Sequence, residues 1–191
     1  LAVLLLAGAS NLHASTISAT IYENVPDAGN AADLTKNETA SYATFNVAAA
    51  GIDYQSELTS YFNITDFLND PTYTFQSHTF NPNGGVDNIE LVISGSAYLL
   101  AGANSFVVGH DDGVVLSVPG VGFTTGTAAA GPSNFTTTPF NVNNPHAAGN
   151  YAFSLDYAEC CGAPADLEFT VNSVPIVSTT PEPSSIALLG T

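Results

Sequence analysis

Two carboxylates stand side by side at Asp111 and Asp112, inside the run Gly109-His110-Asp111-Asp112-Gly113-Val114-Val115-Leu116. Adjacent carboxylates in a turn repel one another, which costs stability unless solvent screens them or a cation occupies the site. Calcium is the cation that suits this chemistry, because it takes several oxygens from carboxylates, amides and backbone carbonyls. Asn141, Asn143, Asn144 and Glu159 are the side chains that would complete such a shell from neighbouring loops. A competing reading is local: Asp side chains often bond the backbone of their own turn, and Asp111 and Asp112 would then be structural. His110 divides the same way, into a further ligand or a hydrogen-bonded residue beside the turn. His78 and His146 lie on separate segments with no metal-binding spacing.

The two cysteines are neighbours, Cys160-Cys161. A zinc site would want more ligands at wider spacing. Three states stay open: a vicinal disulfide, of the kind exported proteins can carry, two free thiols, or a link between chains. Catalysis finds little support. The sequence has no Gly-x-Ser-x-Gly elbow, no His-Glu-x-x-His and no phosphate-cradling Gly loop with Lys. Asp156 and Glu159 could be imagined as a glycosidase pair, but acidic residues on the wet face of a strand are ordinarily solvated, and the chain is expected not to be an enzyme.

The charge balance narrows the partners. Seventeen acidic residues face a single cation, Lys36, for a formal net charge of −16. Nucleic-acid binding and adhesion to anionic lipid both need several Lys or Arg, so neither is expected. A divalent cation, a neutral sugar or another protein remains; the competing reading is an acidic surface that serves solubility alone.

The elements that must position these residues are strands. Apolar residues alternate with polar ones between Gly, Pro, Asn and Asp turns, and no long stretch of the middle region shows helical spacing. Tyr151, Phe153, Leu155 and Tyr157 form one dry face, and Leu167, Phe169 and Val171 another. These two segments are expected to pair as an antiparallel hairpin closed by residues 159–164. A second hairpin is expected from Ser105–His110 and Val114–Val118, turning at Asp111-Asp112-Gly113. Further strands are expected at 17–23, 41–47, 73–80 and 89–100, the last bending or splitting near Gly95, with one short helix at 64–68. Residues 120–134 and 141–150 read as long surface loops. Seven or eight strands with turns about every ten residues give an all-β, antiparallel, jelly-roll-like β-sandwich.

On these residues a resemblance rests. The run Phe106–Leu116, followed by Gly149-Asn150-Tyr151-Ala152-Phe153-Ser154-Leu155-Asp156-Tyr157-Ala158-Glu159, resembles the protective-antigen-type β-sandwich of bacterial toxins, glycosidase accessory modules and flocculin-type adhesins. The resemblance implies that Asp111 and Asp112 match the paired aspartates that hold calcium, which contacts sugar hydroxyls in the sugar-binding members. No residue here clearly matches the further asparagine ligand of the adhesins, and the chain has no Trp to stack on a sugar.

The two ends concern address. Residues 1–14, an apolar run from Leu1 to Ala7 with a cleavage point after Ala14, read as a truncated signal peptide. Residues 181–191 begin Pro181-Glu182-Pro183 and turn apolar at Ile186, which resembles a truncated PEP-CTERM sorting tail. That resemblance implies export, processing by an exosortase, and transient membrane anchoring through a C-terminal helix that is missing here. The folded domain is then expected over 15–173, with 174–180 as linker. The combined expectation is a binding module at the bacterial surface or in the extracellular matrix, with calcium-dependent binding of exopolysaccharide. The alternatives are a structural biofilm protein without a specific ligand, or an ice-binding protein, for which Thr136-Thr137-Thr138 is the one threonine array.

Overall fold

The computed structural model describes residues 16–23, 25, 41–47, 51–55, 64–68, 75–78, 88–125, 134–160 and 165–178. Among them are twelve strands: β1 Ser18–Glu23, β2 Ser41–Asn46, β3 Asp53–Gln55, β4 Ser77–His78, β5 Ile89–Leu99, β6 Gly102–His110, β7 Gly113–Val118, β8 Phe123–Thr124, β9 Thr136–Asn144, β10 Gly149–Glu159, β11 Asp166–Val171 and β12 Val174–Pro175. One short helix, α1, spans Ile64–Phe67. The strands form two antiparallel sheets. The seven-stranded sheet runs β4-β2-β1-β5-β10-β7-β8, and the five-stranded sheet runs β12-β11-β6-β9 with β3 also on β11. The expected all-β sandwich is the fold found.

Alternation builds the core as expected. Phe153, Leu155 and Tyr157 on β10 are buried, as are Leu167, Phe169 and Val171 on β11. Both hairpins, however, need correction. β10 lies between β5 and β7 in one sheet, while β11 pairs with β6, β3 and β12 in the other. Their dry faces meet across the core, where the rings of Phe153 and Phe169 stand edge-on at 5.4 Å and 64°. Likewise β6 pairs with β9 and β11, and β7 with β10 and β8. Asp111-Asp112 is therefore a crossing between sheets. The chain also crosses between sheets from β10 to β11, and this crossing lies beside the one at Asp111-Asp112.

Three further differences have local causes. β5 runs unbroken through Gly95, where a β-carbon would stand 2.9 Å from Ile17 Cγ1; the glycine makes room for a core side chain. Residues 141–144, read as loop, belong to the edge strand β9, whose outward residues are polar because solvent covers them. Val174–Pro175 pairs with β11 and Ile176 is buried, so the packed chain continues past the expected linker boundary. Among the described residues no helix is long and apolar enough to cross a membrane. Residues 1–15 and 179–191, including Pro181, Glu182 and Pro183, lie outside the described residues.

Candidate functional site

The β6–β7 and β10–β11 crossings meet in a buried acidic corner. Asp111, Asp112 and Glu159 are 2 %, 3 % and 1 % exposed, a degree of burial that charged groups tolerate only when paired or hydrogen-bonded. Asp111 Oδ1 accepts a hydrogen bond from the Tyr157 hydroxyl at 2.6 Å and one from the Asp112 amide at 3.1 Å. Asp112 Oδ2 accepts from the Cys160 amide at 2.7 Å, so each crossing grips the other. Asp111 Oδ2 is buried with no hydrogen-bond partner.

Alternation puts Tyr157 here. Its ring stacks on Phe67 of α1 at 6.1 Å and 14°, leaving the hydroxyl to reach the corner. That hydroxyl is also 2.9 Å from Glu159 Oε2, yet it has one proton for two acidic oxygens. The conflict is resolved on Glu159, whose carboxyl is pushed up to about 10 by burial and then by the charges of Asp111 and Asp112. At neutral pH Glu159 keeps its proton and satisfies the second contact. Burial, followed by the same acidic neighbours, holds the Tyr157 hydroxyl well above its ordinary range.

His110 is spent on structure. Its Nδ1 lies 2.6 Å from the Asp112 carbonyl and its Nε2 2.8 Å from Thr138 Oγ1. A carbonyl only accepts, so Nδ1 carries the proton. Burial lowers the ring below the usual histidine range against the opposing pull of Asp112 and Asp111, and the neutral Nε2 accepts from Thr138. Asn143 and Asn144 lie at the far end of β9: Asn143 and Asn144 pair with Ala103 and Gly102, whereas Thr136 pairs with His110. Asn144 donates to the Leu100 and Ala147 carbonyls and accepts from the His146 amide. Asn141 pairs with Ser105 on the same strand. Of the donors expected from the sequence, Glu159 alone joins Asp111 and Asp112.

Tyr157 and the Cys160 amide escaped sequence reasoning. The clue for Tyr157 was its hydroxyl, since a buried tyrosine wants a partner for its polar tip. Cys160 is disulfide-bonded, and Cys161 lies outside the described residues. Asp156 points to the opposite face of β10 from Glu159 and does not share this corner. Its carboxyl is pushed up to about 6 by burial, against the hydrogen bond from Ser154. Asp166, at the start of β11, is pushed up to about 6 by burial and then by Asp111, Glu168 and Asp53.

The donor chemistry suits a hard divalent cation in part. Two carboxylates meet, and one buried oxygen is unclaimed. No group of three or more His, Cys, Asp or Glu side chains among the described residues is arranged to hold a metal ion. The rest of a shell would have to come from backbone, amide or ligand oxygens, which calcium accepts.

No family model and no curated protein matches the sequence. Solved structures do. The chain is similar to the PA14 domain of the MpAFP antifreeze protein, at 20% identity over 85% of this chain and 86% of that one, with a TM-score of 0.60. The fold is PA14-like. A second similar structure is the epithelial adhesin 6 A domain from Candida glabrata, in complex with Galβ1-3GlcNAc, at 15% identity over 88% of this chain and 82% of that one, with a TM-score of 0.51. In this PA14-like sandwich, Asp111 and Asp112 occupy the crossing between β6 and β7. One neighbour is a domain of an antifreeze protein and the other a domain of an adhesin.

Proposed function

We propose that this chain is a carbohydrate-binding module of an exported, cell-surface protein, and that calcium held by Asp111 and Asp112 takes part in the binding. The observation that carries the reading is Asp111 Oδ2, a buried carboxylate oxygen with no hydrogen-bond partner, in a corner where a third carboxyl must stay protonated. A divalent cation relieves both conditions at once. The sugar in the adhesin neighbour supports the ligand class, as does a charge balance that disfavours anionic partners. Residues 1–14 and 181–191 support export as a signal peptide and a sorting tail for an exosortase, and a mature protein from an exporting host is expected to begin near Ser15. An ice-binding array at Thr136-Thr137-Thr138 is disfavoured because the Thr138 hydroxyl is used by His110.

The test is thermal unfolding against calcium. A cation that binds the folded chain alone adds about 2.7 kcal/mol at one hundred times its Kd, or roughly 5–10 °C for a domain of this size. Magnesium should do less, since it demands a tighter octahedron and dehydrates reluctantly. A melting temperature indifferent to calcium would return Asp111 and Asp112 to a structural role.

A further inference from the structure

We infer that His110 and Thr138 are positioning residues of the cation corner: Thr138 anchors the ring of His110, and His110 holds the backbone from which the Asp112 carboxylate projects. The inference rests on the calcium reading above and adds to it two residues that touch no cation. Its basis is a pair of short bonds in series. Thr138 Oγ1 lies 2.8 Å from His110 Nε2, and His110 Nδ1 lies 2.6 Å from the Asp112 carbonyl. His110 and Asp112 are both buried, at 1 % and 3 % exposure.

Register brings the three residues together. His110 ends β6 opposite Thr136 of β9, and Thr138 stands opposite Val108, so His110 and Thr138 are diagonal neighbours on one face, a separation that a long side chain spans. Asp111 and Asp112 then carry the chain from β6 to β7 in the other sheet. Both peptides that flank the Asp112 α-carbon are held. On one side the Asp112 amide donates to Asp111 Oδ1 at 3.1 Å; on the other the Asp112 carbonyl accepts from His110. Because a peptide is planar, holding both leaves neither φ nor ψ of Asp112 free. Those two angles set the direction in which its carboxylate leaves the backbone, toward the Cys160 amide that Oδ2 meets at 2.7 Å.

Thr138 enters through the second ring nitrogen. The carbonyl only accepts, so the proton of the neutral ring stays on Nδ1 and Nε2 becomes an acceptor that needs a donor. The Thr138 hydroxyl is that donor. Without it a buried acceptor goes unsatisfied, and the ring must leave its seat to reach another donor, taking the Nδ1 proton away from the Asp112 carbonyl. Groups that orient a metal's ligands without touching the metal are worth about 10- to 100-fold in affinity. Thr138 acts through one further residue, so loss of its hydroxyl should weaken calcium binding by about tenfold.

The experiment is calcium titration calorimetry on the parent, Thr138→Val and Thr138→Ser, with thermal melts in chelator and the nitrogen-15 resonances of the His110 ring, assigned by their loss in His110→Gln. Thr138→Val keeps the shape of the side chain and removes its hydroxyl, whereas Thr138→Ser keeps the hydroxyl. Expected are a calcium affinity about tenfold lower in Thr138→Val, parent-like affinity in Thr138→Ser, and cooperative melting in chelator for all three. The parent spectrum should show the proton on Nδ1, and that proton should exchange with solvent faster in Thr138→Val. Equal calcium affinity in the parent and Thr138→Val would overturn the inference while leaving the calcium reading intact. So would a parent ring protonated on Nε2, a Thr138→Ser affinity as low as that of Thr138→Val, or loss of cooperative melting in Thr138→Val. A parent with neither calcium heat nor a calcium-dependent melting shift would overturn the calcium reading, and this inference with it.

Discussion

Tyr157→Phe deletes a single oxygen from the centre of the acidic corner. The ring keeps its stack on Phe67, so almost no packing is lost. The hydroxyl's bond to Asp111 Oδ1, at 2.6 Å, is lost, while the bond from the Asp112 amide at 3.1 Å remains. Hydrogen bonds to charged groups contribute about 1.5–3 kcal/mol, and the contact to a protonated Glu159 adds an ordinary one. The expected cost in chelator at pH 7 is therefore about 2–4.5 kcal/mol, or roughly 4–18 °C in melting temperature at about 2–4 °C per kcal/mol. In saturating calcium the cation compensates the Asp111 charge, and the cost should shrink. Paired melts of parent and variant, in chelator and in calcium, measure both quantities. A cost below about 0.5 kcal/mol in chelator would show that Asp111 does not depend on Tyr157, and an equal cost in calcium would separate Asp111 from the cation.

Asp156 is raised from 3.8 to about 6 by burial, so the folded chain holds that proton more tightly than the unfolded one. Its contribution to stability is fully present below pH 3.8 and is lost as pH rises through about 6, by roughly 3 kcal/mol at 1.36 kcal/mol per pH unit. Asp156→Asn should flatten that part of the pH–stability curve, and a variant curve parallel to the parent's would refute the assignment. Asn104 accepts from the Leu100 amide and from Asn172 Nδ2 while donating to the Leu100 and Gly102 carbonyls. Asn104→Ala strands these groups and should cost about 2–4 kcal/mol in denaturant titration, without changing calcium affinity, because it lies at the far end of β6 from Asp111.

The strands were legible because burial leaves a period-two trace. Phe153, Leu155 and Tyr157, and Leu167, Phe169 and Val171, are inward-facing as alternation requires. Partners were not legible, since a dry face looks the same whether its strand pairs with a neighbour or packs against one from the opposite sheet. Asp-Gly marked a change of direction at Asp112-Gly113 without telling a hairpin from a crossing. β9 hid because an edge strand needs few apolar residues, and Val142 is the buried hydrophobic among its nine.

The site was legible by composition more than by neighbourhood. Asp111, Asp112 and Glu159 were picked as oxygen donors and are together. Asn143 and Asn144 were picked for the same chemistry and are placed by register at the other end of the sheet. Tyr157 passed as a core aromatic because its ring does the packing and only its hydroxyl does the chemistry. The grip between Cys160 and Asp112 joins residues 48 apart through a backbone amide, a donor that every residue but proline has and that no side-chain pattern reveals.

The most direct test of the central claim is a glycan-binding screen of the oxidised chain in calcium and in chelator, with Asp112→Asn alongside. The substitution lowers the charge of the corner while keeping the side chain's shape. The account predicts glycan binding by the parent in calcium, lost in chelator and lost in Asp112→Asn, with that variant still melting cooperatively. Glycan binding that persists in chelator, or that Asp112→Asn retains, would contradict it.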